Sequence, residues 1–151
     1  MLEGKTMQTN IDNLFVSYLL LDEKTRLRKA QKATNKLAKY LTDETQYTDK
    51  QVFRFYVNVV SLFVSADHEC GREEWKLFNA ILDGQYSYDT FYQYTDGGSN
   101  PEFQERMFRQ IAALPKKIRD AIITIGLAFS ISEKELSDSE RAIIERIIKG
   151  Q

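Results

Sequence analysis

Six carboxylates stand where turns between helices are expected: Asp67, Glu69, Glu73 and Glu74 in one stretch, Glu133 and Glu140 in another. Carboxylate oxygens suit hard cations, so the chemistry this pattern supports is binding of Mg²⁺, Ca²⁺ or Mn²⁺, provided the two stretches lie side by side. It is not an EF-hand, because no Asp-x-Asp-x-Asp-Gly loop is present. A second role competes: Glu73, Glu74, Asp138 and Glu140 fall in the first turns of expected helices, where acids offset the helix dipole. One His (His68) and one Cys (Cys70) exclude a Cys/His zinc cage and an internal disulfide. His68 beside carboxylates has the type of a general base. It has no Gly-x-Ser-x-Gly elbow, phosphate loop or Cys–His signature to work with, so the chain reads as a non-enzyme. Cys70 precedes a helix cap and reads as a small buried hydrophobe.

Two further groups suggest binding. Lys24, Arg28, Lys32, Lys36 and Lys39 fall on one face of a helical run, nearly opposite Leu27, Ala30, Thr34, Leu37 and Leu41 at about 100° per residue. Solvation of an outer face is the default for such a stripe; contact with nucleic acid or an acidic partner is its alternative use. Residues 51–100 carry 3 Lys+Arg against 7 Asp+Glu, so a second copy could also meet it, and an oligomer is compatible with this charge segregation. Tyr86, Tyr88, Phe91, Tyr92 and Tyr94 form an aromatic cluster that either roofs the core or, through Tyr86, Tyr88 and Tyr92, offers a recognition surface.

The elements that must position these groups are helices. Apolar residues recur at helical spacing from Asn10 to Leu21 and from Lys24 to Leu41. Thr48-x-x-Gln51 is a capping box for a helix reaching about Ala66, apolar enough to be the central core helix. Arg72 to Leu82 follows, with Gly84 as its stop, then a short helix and turn within Gln85 to Asn100. Pro101 and Pro115 each open a helix, and Ser137-x-x-Glu140 caps a last one stopped by Gly150.

Sliding the chain by 66 positions pairs Val59 with Ile125 and Phe63 with Phe129, then Glu74 with Glu140, Phe78 with Ile144 and Ile81 with Ile147. This predicts a duplicated helix–loop–helix, about 49–83 and 115–149, connected by 84–114 and preceded by N-terminal helices at about 10–41. The segment Ser65-Ala66-Asp67-His68-Glu69-Cys70-Gly71-Arg72-Glu73-Glu74, between an apolar and an amphipathic helix, resembles the tellurite-resistance TerB-like family, a type that also occurs as the N-terminal domain of certain co-chaperones. The second copy, Ile131 to Glu140, departs from the pattern, with Glu133 where Asp is expected. The resemblance implies a single all-α domain of seven or eight helices and a non-enzymatic scaffold or binding module of stress-response type, carrying an acidic surface that points to the same cation.

Bulk properties agree with one domain over 1–151. The 151 residues carry 21 Lys+Arg against 22 Asp+Glu, with a pI near 5.9, which disfavours a dedicated nucleic-acid binder and leaves an unidentified protein as the expected partner. Residues 1–10 lack the apolar run of a signal peptide, and no apolar stretch is long enough to insert in a membrane, so the expected location is the cytoplasm.

Overall fold

A computed structural model describes residues 2–64, 71–130 and 136–150, with side chains from residue 10 onward. The described residues form eight α-helices: α1 (Leu2–Leu19), α2 (Glu23–Glu44), α3 (Asp49–Val64), α4 (Arg72–Leu82), α5 (Tyr88–Thr95), α6 (Pro101–Ala112), α7 (Lys116–Ser130) and α8 (Asp138–Lys149). A 3₁₀ turn, Asp96–Ser99, joins α5 to α6, and no strand occurs among the described residues. The fold is therefore all-α. No helix of the described residues is long and apolar enough to cross a membrane.

Local chemistry starts and stops the helices where sequence signals stand. Asp22 accepts from the Thr25 amide at 2.7 Å, and Asn100 accepts from the Phe103 amide at 3.1 Å with Pro101 in the first turn. Thr48 and Gln51 close their box at 2.8 Å and 3.2 Å; Ser137 and Glu140 close theirs at 2.9 Å and 3.1 Å. Gly150 ends α8 in the left-handed region, at φ 68°. At the end of α4 it is Asp83 (φ 51°), not Gly84, that takes this conformation, tolerable for Asp because its short polar side chain visits that region more readily than most. Two helix ends are closed by arginines from a neighbouring helix. Arg26 Nη1 donates to the carbonyls of Leu19 and Leu21 at and beyond the end of α1, and Arg119 Nη1 donates to those of Ile147 and Ile148 in α8.

The core is built around α3 and α7, whose C-terminal halves are buried nearly all round. They cross where the Phe63 ring, in the last turn of α3, lies over Gly126, four residues before the end of α7. α2 packs along α7 more extensively than any other pair of helices. Arg26 and Leu27 at the start of α2 share a cleft with Ala128 and Phe129 at the end of α7, so the two run antiparallel. The sequence suggests N-terminal helices covering a core made by two hairpins; in the structure α2 is itself part of that core. α4 lies on α2 and α5, whereas α8 lies on α7, α1 and α6. The two helix–loop–helix segments thus share cap positions and buried apolar positions but do not repeat one packing arrangement.

Candidate functional site

Of the six acids, Asp67, Glu69 and Glu133 lie outside the described residues, as do His68 and Cys70. The other three do not converge. Glu73 is exposed and sits 4.0 Å from Lys76 on its own helix. Glu74 and Glu140 are both buried. Glu140 Oε1 accepts from the Ser137 amide, the reciprocal half of a capping box, and the Glu74 carboxylate folds back against Gly71, where any Cβ would strike it. Both side chains therefore act at helix starts. Among the described residues no group of three or more His, Cys, Asp or Glu comes together to hold a metal.

The basic stripe is presented intact. Lys24, Arg28, Lys32, Lys36 and Lys39 are all exposed on α2, while Ala30, Ala33, Thr34, Leu37 and Leu41 on the other side are buried. At about 1.5 Å per residue the stripe is about 22 Å long, and its members fall within an arc of about 120°. None of the five has an ion pair among the described residues, although carboxylates elsewhere are used in this way: Asp12 by Arg141 at 2.6 Å and Glu105 by Arg146 at 2.6 Å. Arg26 belongs to the same run in sequence but not to the stripe, since its guanidinium is turned to the end of α1. Five like charges held on one rigid rod, none in an ion pair among the described residues, raise the local positive potential.

The tyrosines divide between roof and surface. Tyr86 stacks on Phe53 (5.7 Å, 22°) and meets Phe78 and Tyr94 edge-on. Its carbonyl accepts from Trp75 Nε1 at 2.8 Å and from Asn79 Nδ2 at 3.0 Å. Tyr88 is held between the Trp75 edge (5.9 Å) and the Arg72 guanidinium (5.0 Å). Both are half-buried and take part in ring contacts, as the roofing reading of the cluster expects. The side chain that projects most is Tyr92, 47% exposed; Tyr94, at 37%, packs against Phe53 and Tyr86.

Two features had no legible signal in the sequence. A cleft of about 390 Å³ opens between the end of α1, the start of α2, α4 and the end of α7, walled by Tyr18, Leu27, Leu77 and Phe129. Its charged rim mixes both signs, and Arg26 Nη1 there is already bonded to carbonyls, so it offers no convergent polar set for a ligand. The second is a clamp: Arg146 grips Glu105 through two nitrogens (2.6 Å and 3.1 Å) while its guanidinium lies 4.0 Å above the Phe108 ring, pinning α6 to α8. The bond from Arg146 holds the Glu105 carboxyl below its ordinary range. The two partners are 41 positions apart, too far for any local pattern to pair them. Compared with protein-family models, curated proteins and solved structures, the chain finds no match in any of the three.

Proposed function

We propose that the protein is a non-enzymatic binding module whose docking surface is the basic face of α2, taking an anionic partner. The observation that supports this reading is the five-residue stripe of Lys24, Arg28, Lys32, Lys36 and Lys39, exposed and without ion pairs among the described residues. The stripe is rigid because the opposite face of α2 is buried along α7, so binding would not have to order the helix first. The cation reading associated with the TerB-like resemblance has less to support it, since Glu74 and Glu140 are occupied at helix starts. Its remaining carriers are Asp67, Glu69, Glu73 and Glu133.

The test is retention on a polyanion such as heparin, measured against salt. The wild type is expected to bind at low ionic strength and to elute steeply as salt rises; Lys32→Glu/Lys36→Glu is expected to flow through. Equal retention of both proteins would remove α2 as the surface.

A further inference from the structure

Building on that reading, we infer that the anionic partner of the α2 stripe is the α5 face of a second copy of the same chain. Residues 83–105 contain Asp83, Asp89, Asp96, Glu102 and Glu105 and not one Lys or Arg. All five are exposed, and only Glu105 has an ion pair among the described residues. Within this segment Asp89 and Tyr92 lie on one side of α5, and Asp96, the C-cap residue that opens the 3₁₀ turn, still lies in the right-handed helical region (φ −60°, ψ −33°) and extends the row.

The two rows match residue by residue. Along α2, Lys32 to Lys36 is four residues and Lys36 to Lys39 is three; backward along α5, Asp96 to Tyr92 is four and Tyr92 to Asp89 is three. Both rows span seven residues, about 10 Å of helix. Set antiparallel, Lys32 meets Asp96, Lys39 meets Asp89, and the Lys36 ammonium meets the Tyr92 ring. The last is a cation–π contact, and Tyr92 supplies the aromatic centre that charge pairs alone would lack. This explains why a tyrosine as exposed as Tyr92 stands outside the ring network that holds Tyr86 and Tyr88.

The contact is between molecules. No ion pair links Lys32, Lys36 or Lys39 to Asp89 or Asp96 within the chain, and α2 and α5 each pack on α3 rather than extensively on one another. Stripe and row are different surfaces, so a docked pair still presents one free stripe and one free row. The assembly is heterologous, growing head to tail or closing as a ring.

Sedimentation velocity on the full chain tests this with two neutralised variants, Lys32→Gln/Lys36→Gln/Lys39→Gln and Asp89→Asn/Tyr92→Ala/Asp96→Asn, whose altered side chains are all exposed. The wild type is expected to self-associate at low salt and dissociate at high salt. Each variant alone is expected to associate at least about tenfold more weakly. Mixed in equal amounts, they are expected to form a 1:1 dimer and nothing larger, because one variant retains only the acidic row and the other only the basic stripe. A wild type that stays monomeric while binding heparin overturns the second-copy partner and leaves the α2 reading standing. A monomer that also ignores heparin overturns both. Self-association undiminished in either variant, or a mixture without a dimer, also overturns the pairing of these rows.

Discussion

Phe63 lays its ring over the α-carbon of Gly126, and a methyl group placed there would overlap the ring itself. Both side chains belong to the crossing of α3 with α7, and Phe63 is 1% exposed, so the ring has little room to retreat. Gly126→Ala should therefore destabilise the protein. Overpacking costs about 1–3 kcal/mol, against a helix-propensity gain of about 1 kcal/mol for Ala over Gly, so the net loss is up to about 2 kcal/mol. Gly126→Val forfeits most of that gain and should lose more. Urea unfolding measures both, and Phe63→Leu in the Gly126→Ala background should recover part of the loss if the clash is with this ring. An alanine variant as stable as the wild type would show that the crossing yields.

Tyr18 and Tyr56 are both buried, yet removal of their hydroxyls should have opposite effects. Tyr18 Oη donates to the Arg26 carbonyl at 2.7 Å. Tyr18→Phe leaves that bond unmade and should cost about 1 kcal/mol at neutral pH. The Tyr56 hydroxyl reaches no partner in hydrogen-bonding geometry among the described residues, although Thr34 lies close enough to offset slightly the upward push of burial on its pKa. Tyr56→Phe should be neutral or stabilising by about 1 kcal/mol. The alkaline limb adds a check. Burial pushes Tyr18 up to about 12, partly countered by Arg26, whereas an unfolded tyrosine ionises near 10. Its contribution is then complete below about pH 10 and is lost as pH rises through about 12. The stability of Tyr18→Phe should fall less steeply than that of the wild type over this window.

The Arg146–Glu105 clamp makes its contribution on the acid side. The hydrogen bond from Arg146, with a smaller charge effect from Arg146 and Arg109, lowers the Glu105 pKa in the folded state. A depressed carboxyl stabilises above its unfolded value and loses that contribution as pH falls through the folded one. Glu105→Gln should thus be less stable than the wild type at neutral pH, and the gap should close as pH drops below the ordinary glutamate range. Chemical denaturation at a series of pH values measures it. A gap that persists unchanged into strong acid would mean that packing of Arg146 on Phe108, rather than the charge pair, holds α6 to α8.

Much of the helical plan could be read from short spacings, because caps are local chemistry. Thr48 with Gln51, Asn100 with Pro101 and Ser137 with Glu140 lie within three residues of each other and close where the pattern places them. Bounds differ where the signal is weak: α1 begins at Leu2 rather than near Asn10, and α2 runs to Glu44 rather than Leu41. The solvated face of Lys24 to Lys39 was equally legible, since a helical period separates it from Leu37 and Leu41 without reference to anything else. The acidic stretches were not. Nothing in the spacing of Glu74 distinguishes a cap turned inward from a ligand turned outward, because both uses require an acid in a first turn; for Glu140 only the Ser137 box pointed to the cap.

Residue order alone therefore determined the secondary structure, the class of the fold and the segregation of charge along α2 and residues 83–105, all of which depend on neighbours within one or two turns. Tertiary structure decided which helix became whose neighbour: α2 beside α7, Phe63 over Gly126, Arg119 at the end of α8, Arg146 on Glu105. It also decided that Tyr86 and Tyr88 are half-buried in ring contacts while Tyr92 projects. The physical reason is that amphipathic stripes say how much surface must be buried but not against which partner. That choice falls to shape, such as the room a single glycine leaves for a ring, and to side chains that meet only after the chain has closed on itself.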